Sequence, residues 1–406
     1  MAHKTKINST AYDITGGKTL ASGTSYSIKN GKVLIGGTAY DISFVLPPAV
    51  LGLWSGATSK ITCIAYSNGY WVVGGYYAST RSARIAYATS LDGTWTTKDL
   101  WSGENNNSSI NSIAYGNGYW VVAGGRFANS TYYARIAYAT SPNGAWTIKD
   151  LKSGDENIAL FAITYANGYW VTGGRGNDGS KFTGGIYYAT SPSGAWTNKT
   201  LWTGNTSAAS NAVNCITNAN GYWVAGGSGW GGNNTGNAYI AYATSPSGTW
   251  TTESIWTGSV SYTEINCIAY GNGYWVVGGQ YYSSNRYGRI AYATSLSGTW
   301  TTKDLWNGSS AYVRITSIAY GNGKWVAGGL HYSSSTYYPR IAYATTPSGT
   351  WTTKDVWNAY NSSNNGVFAI AYANSHWVVG GTDCSLDTNQ VRLAYAGSLD
   401  ELGNTE

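Results

Sequence analysis

The residues of this 406-residue chain best suited to chemistry are aromatic side chains set beside amides and hydroxyls. Tyrosines occur as adjacent pairs at Tyr76-Tyr77, Tyr132-Tyr133, Tyr281-Tyr282 and Tyr337-Tyr338. Each pair lies in a segment rich in Ser, Asn, Thr or Arg: YYASTRS at 76–82, RFANSTYYA at 126–134, QYYSSNRYG at 280–288 and LHYSSSTYYP at 330–339. A fifth segment, GSGWGGNNTGNA at 227–238, carries Trp230 beside Asn233, Asn234 and Asn237. Flat rings stack on the C–H faces of sugars while neighbouring amides and hydroxyls hydrogen-bond to sugar hydroxyls. One buried ring face contributes ~1–2 kcal/mol at ~25 cal/mol per Å². Single sites would be weak, and repetition would supply avidity. These eight tyrosines, with Trp230, Asn233 and Asn234, are the expected ligand-binding residues, and a surface glycan is the expected ligand.

Acid–base, nucleophilic and metal chemistry find little to work with. The three histidines, His3, His331 and His376, are scattered and lack ligand spacing, so no metal site and no cofactor are expected. Asp99, Asp150, Asp304 and Asp355 recur in a Lys-Asp repeat, where pairing or solvation is expected. Arg84, Arg135, Arg289, Arg340 and Arg392 also recur and read as structural braces. On the face of the variable loops, Glu104, Asp155, Glu156, Asp178, Glu264, Asp383 and Asp387 remain as candidates. A glycosidase needs two carboxylates facing one bond, and most of these fall in different repeats. No phosphate loop or nucleophile motif is present. The chain is expected not to be an enzyme, with a surface-polysaccharide glycosidase as the enzymatic alternative.

The composition fits a polar, all-β surface: 54 Gly, 36 Tyr, 20 Trp, one Met and 10% charged residues. The net charge is +6, and much of the excess lies in the first 50 residues, at Lys4, Lys6, Lys18, Lys29 and Lys32. No Lys/Arg stripe appears beyond them, which argues against nucleic acid. No apolar stretch is long enough for a membrane span, and the start of the chain shows no secretion signal. Cys63, Cys215 and Cys267 each stand eight residues before a recurring Trp and read as buried thiols. Cys384 falls outside that pattern and reads as exposed.

Those residues must be positioned by a repeat. Seven copies of one unit run from about residue 51, marked by Trp71, Trp120, Trp170, Trp223, Trp275, Trp325 and Trp377, in steps of 49 to 53 residues. A period near 50 with four strands per unit marks a β-propeller. Asn68-Gly69 and its equivalents predict a tight hairpin between the first and second strands, and Asp92-Gly93 a turn between the third and fourth. The seventh copy reaches LAYAGSLD without its fourth strand, while Gly52-Leu53-Trp54-Ser55-Gly56 matches the end of that strand in the first copy. The chain is therefore expected to be a seven-bladed β-propeller of four-stranded blades, closed by an N-terminal strand. Twelve further tryptophans recur after the second turn or at the end of the fourth strand and read as inter-blade packing. Trp230 alone lies outside the repeat. The segments between second and third strands would share one face with the inter-blade linkers, and short turns would occupy the other.

Residues 1–48 form a separate region. Thr10-Ala11-Tyr12-Asp13-Ile14 recurs at 24–28 and 38–42, a spacing of 14 that predicts three short strands joined by Gly turns. Three strands bury little surface alone, so this segment is expected to dock on another chain or self-associate, with homo-oligomers one outcome. Pro47-Pro48 marks the boundary with the propeller at 49–406.

Two resemblances add to this reading. Ser90-Leu91-Asp92-Gly93-Thr94-Trp95 resembles, in compact form, the Asp-box of sialidase-like propellers; the Asp-box is a structural turn and implies the fold, not the activity. The run AYDITGGKTLASGTSYSIKNGKVLIGGTAYDISF resembles segments that begin virion proteins of tailed phages and prophages of gut Gram-positive bacteria. It implies a fibre or receptor-binding virion protein, made in the host cytoplasm without a signal peptide and released by lysis. On that resemblance, residues 1–48 would bind other virion proteins and the propeller would attach to host glycans. A decoration or scaffold protein that binds only virion proteins is the alternative.

Overall fold

The structure is a computed structural model in which every described element is a β-strand. It describes the propeller from 49 to 403, except residues 57, 105–107, 155–157, 178–180, 204–210, 233–234, 260–262, 309–311 and 385–389, and the backbone of six strands before it. Seven antiparallel four-stranded sheets form the blades. Blade 1 comprises Lys60–Ser67, Tyr70–Tyr77, Ser82–Ala88 and Thr96–Ser102, counted from the inner strand outward. Blades 2 to 6 repeat this order, and blade 7 takes its outer strand from the front of the chain.

The ring closes through an N-terminal strand, as expected. Ala49–Ser55 pairs with Gln390–Ala396, setting Trp54 opposite Val391 and Leu51 opposite Leu393. The first turn also forms as the residue types require. Asn68 and Gly69 both have positive φ, at 47° and 75°, and the last copy holds Asn374 and Ser375 in the same conformation.

The second turn uses its tryptophan as a clamp. The Gly93 amide donates to Ser90 O at 3.2 Å, and the Trp95 indole N–H donates to Leu91 O at 3.3 Å. Trp146, Trp196, Trp250, Trp300 and Trp351 repeat the clamp on their own turns.

Two further sets of contacts join blade to blade. The tryptophan ending each outer strand donates to a carbonyl of the next blade's second strand, as Trp101 does to Gly125 O at 2.9 Å and Trp306 to Leu330 O at 3.1 Å. Trp54 donates to Tyr76 O at 3.2 Å and so seals the seam between blades 7 and 1. On the turn face, Lys149 and Lys303 each donate to a turn carbonyl of the following blade, Gly194 O and Gly349 O, both at 2.6 Å. The seam between blades 2 and 3 differs, because Lys152 stands where the seam tryptophan would be.

The NGYW tryptophans form the cores between these sheets and are fully buried. The Gly-Gly that follows each of them makes the close approach possible. A Cβ on Gly75 would lie 1.9 Å from Lys60 O, and one on Gly74 would lie 2.7 Å from Ile110 of the next blade.

Each inner strand carries a bulge at its third residue, which turns one side chain into the axial channel. Thr62, Asn111, Phe161, Asn214, Asn266, Thr316 and Phe368 line a cavity of about 250 Å³ there. Five of these stitch the ring from inside, because Thr62, Asn111, Asn214, Asn266 and Thr316 donate to a main-chain carbonyl of the next inner strand.

Residues 1–48 depart from expectation. Their backbone forms a six-stranded antiparallel meander and not three strands, running His3–Ile7, Thr10–Thr15, Lys18–Ala21, Thr24–Lys29, Lys32–Ile35 and Thr38–Asp41. Lys18 and Lys32 each open an extended segment of their own, so a 14-residue period holds two strands.

Candidate functional site

The long segments between second and third strands are hairpins more than loops. The strands of blade 2 run to Ala128 and resume at Thr131, leaving a two-residue turn in which Asn129 and Ser130 have φ of 50° and 57°. Blade 6 turns equally tightly at Ser334-Ser335. In blade 4 the second strand, Tyr222–Gly232, passes through Trp230, which pairs with Gly236. Trp230 thus lies on a strand and not in the loop expected for 227–238. Its side chain, and Asn233 and Asn234, lie outside the described residues.

That geometry separates the tyrosine pairs, because consecutive residues on a strand point to opposite faces. Tyr76 is 4% exposed and Tyr337 is 9% exposed, so neither is presented to a ligand, contrary to expectation. Tyr77, Tyr132, Tyr133, Tyr281, Tyr282 and Tyr338 are half-buried.

Several of these rings are already covered. The Arg84 guanidinium lies 3.6 Å from the centroid of Tyr77, and Arg289 lies 3.6 Å from that of Tyr281. Arg126 and Arg135 approach Tyr133, Arg286 lies over Tyr282, and Arg340 lies 5.4 Å from Tyr338. Tyr132 packs on Phe127.

The recurring arginines and aspartates are one device. Arg84 Nε donates to Asp99 Oδ1 at 2.6 Å and Nη2 to Oδ2 at 2.8 Å, a fork repeated by Arg135–Asp150, Arg289–Asp304 and Arg340–Asp355. In blade 7 the matching outer-strand position is Gly52, and Arg392 pairs with buried Asp383 at 3.3 Å. Other carboxylates brace the backbone or a phenol. Glu104 accepts from the Asn129 amide at 2.7 Å, Glu253 from Tyr242 and Asp400 from Tyr343. Asp155, Glu156, Asp178 and Asp387 lie outside the described residues. Among the described residues no cluster of His, Cys, Asp and Glu has the make-up of a metal site.

Buried groups follow their surroundings. Burial pushes the Cys63 thiol up to about 12, and it raises Cys215 and Cys267 as well. Cys384 is also buried, correcting the exposure expected for it, and its amide donates to Asn365 Oδ1 at 3.2 Å. Burial lowers His331, with Arg340 adding to the effect, and the ring stacks near Tyr338.

The aromatic surface that is open was not anticipated. Tyr312 and Tyr360 are 40% and 46% exposed, and both stand in inter-blade linkers flanking blade 6. Tyr360 exchanges two backbone hydrogen bonds with Tyr337, at 2.9 and 3.0 Å, and the Tyr312 ring lies 6.1 Å from the Tyr337 ring. Tyr332 packs beneath at 4.7 Å. Buried Tyr337 therefore acts as the floor of an aromatic patch whose open members are Tyr312 and Tyr360. A signal for it exists in the sequence, since Tyr262, Tyr312 and Tyr360 recur in three successive linkers.

Comparison with known proteins supports the architecture. No protein-family model and no curated protein matches this chain. Among solved structures, YCF48 bound to D1 peptide superposes with a TM-score of 0.51 at 12% identity, over 87% of this chain and 97% of that one. The polysaccharide lyase Uly1 superposes with a TM-score of 0.53 at 11% identity, over 82% of this chain and 89% of that one. The Trypanosoma rangeli sialidase fits more loosely, with a TM-score of 0.43 over 93% of this chain and 59% of that one, at 12% identity. What the first two likenesses establish is the propeller fold.

Proposed function

We propose that the propeller is a binding head that recognises surface carbohydrate through its loop face. The observation that carries this reading is the open aromatic patch of Tyr312 and Tyr360, mounted on the fixed floor of Tyr337 and bordered by the Ser- and Asn-rich linkers of blade 6. Rigid aromatic anchors beside adaptable polar groups are the make-up of a recognition surface. Propellers of this kind serve more than one ligand class, since one fold neighbour is a polysaccharide lyase and another was seen with a peptide. The choice of carbohydrate rests on this chain's own side chains.

The proposal includes binding without turnover. Its support is that Asp99, Asp150, Asp304, Asp355 and Asp383 are held in arginine pairs. It also places the protein on a phage virion, with residues 1–48 as the attachment segment, on the strength of the resemblance of that segment alone. A virion decoration protein that binds no sugar is the competing reading.

The test is attachment of the purified protein to host cells and to immobilised glycans. Replacing Tyr312 and Tyr360 together by Ala should weaken attachment roughly 10–100-fold, the loss of two stacking rings, and no new reducing ends should appear on incubation. Wild-type attachment by the double variant would exclude this patch. Trp230→Ala tests the remaining aromatic candidate in the same assay.

A further inference from the structure

The axial channel opens on the loop face, and among the described residues its rim carries unbalanced charge. The first residues of the seven inner strands are Lys60, Ser109, Ala159, Ala212, Glu264, Arg314 and Gly366. Ser109 places this level at the channel, because its hydroxyl donates at 2.9 Å to the amide oxygen of Asn111, a channel-lining residue. Arg175 joins the rim from the second strand of blade 3, where it pairs with Ala159. Its guanidinium lies 5.8 Å from the ring of Phe161, which itself lines the channel, and 5.6 Å from Phe182.

These charges act on one another across the opening. Lys60 on blade 1 is influenced by Arg314 on blade 6, and Arg175 on blade 3 by Glu264 on blade 5, each pair separated by a whole blade. Burial, and then the Arg314 guanidinium, hold the Lys60 ammonium below its ordinary pKa. Three cations therefore face one carboxylate among these rim residues. The Nε atoms of Arg175 and Arg314 are buried and have no hydrogen-bond partner among the described residues. A buried guanidinium N–H left unpaired is costly, and its fork matches a carboxylate. The aromatic patch adjoins it, since Arg314 lies 6.0 Å from the ring of Tyr312.

We propose that this channel mouth binds the carboxylate of an acidic glycan, with Arg175, Arg314 and Lys60 as its ligands and Tyr312 as the platform for the sugar ring. The inference rests on the carbohydrate reading above and specifies its ligand as a carboxylated sugar. A pyranose acid fits because it offers a C–H face and a carboxylate on one ring, which matches an exposed tyrosine beside an arginine fork.

Hyaluronate, alginate and polygalacturonate are the probes, each measured against its carboxyl-reduced counterpart by calorimetry with the full chain. At least one acidic polymer should bind roughly tenfold or more tightly than its reduced form. Arg175→Gln and Arg314→Gln should each abolish that preference while the reduced form binds as before. Lys60→Met should weaken it in a protein whose melting matches wild type, which guards against misfolding of the arginine variants. Equal binding of acidic and reduced polymers would overturn the anion site but leave the carbohydrate reading intact. Failure of every polymer, acidic and reduced, would overturn both. Arginine-dependent binding of an acidic peptide with no polymer bound would overturn the proposal in favour of a protein ligand.

Discussion

The two faces of the ring are made by the same seven repeats yet hold themselves together differently. On the turn face the third-to-fourth turn closes six times in one way, with a tryptophan N–H on its own turn and, at most seams, a lysine reaching the next turn. On the loop face the hairpins differ in length and composition, and the arginine–aspartate forks stand behind them. The contrast teaches where the chain is free to vary. Once seam tryptophans and channel amides have fixed the blades, the hairpin tips add little to the ring. Substitutions on the turn face and in the seams should cost stability, and those at the open patch should cost only binding.

The strongest way to break that contrast is to remove closure. Deleting residues 1–56 takes away Ala49–Ser55 and exposes the edge of Gln390–Ala396, so the protein should aggregate on size-exclusion chromatography. Deleting residues 1–48 should leave a soluble ring with unchanged melting. Next comes a seam residue. Trp306→Ala removes a buried indole and its hydrogen bond to Leu330 O, and should cost about 3–5 kcal/mol in denaturant unfolding. The lysine contacts are weaker, and Lys303→Met should cost about 1 kcal/mol or less.

Alkaline pH offers a graded test of the turn face. The Tyr343 hydroxyl is pushed up to about 12 by its hydrogen bond to Asp400 and by burial, and Tyr242 reaches about 12 through burial and Glu253. A phenol raised in the folded state stabilises fully below its unfolded value of about 10 and loses that contribution as pH rises through about 12. The buried Cys63 thiol follows the same sign, with loss beginning near 9. Urea midpoints should therefore hold steady to about pH 9 and fall beyond it, and Tyr343→Phe should flatten part of that fall. The smallest expected effect is on stability at the open patch. Tyr312→Ala with Tyr360→Ala should leave the midpoint nearly unchanged, and a loss as large as that of Trp306→Ala would erase the distinction between faces.

Sequence periodicity revealed most of the ring because closure repeats its demands. The split seventh unit, its completion from the front of the chain and the bracing role of the arginines all follow from residues that recur at fixed offsets. Single departures from the repeat were harder to read. Ser334-Ser335 takes a left-handed turn without glycine, so a hairpin passed for a loop. Adjacent tyrosines looked like one surface until the strand sent them to opposite faces. Lys60, Arg175 and Arg314 lie on blades 1, 3 and 6, and only the closed ring brings them to one rim.

Closure by a strand so distant in sequence also sets an order of events during synthesis. Ala49–Ser55 leaves the ribosome early, yet its partner Gln390–Ala396 lies roughly 350 residues later, about 20–70 s of translation at ~5–20 residues per second. Val50, Leu53 and Trp54 must wait through that interval unpaired while the blades form behind them. The nascent chain thus carries an apolar strand in search of an edge, and other copies on the same polysome carry the same strand. Overexpression should favour exchange of this strand between copies, and a chaperone that shelters it until the last blade emerges should raise the yield of monomeric rings.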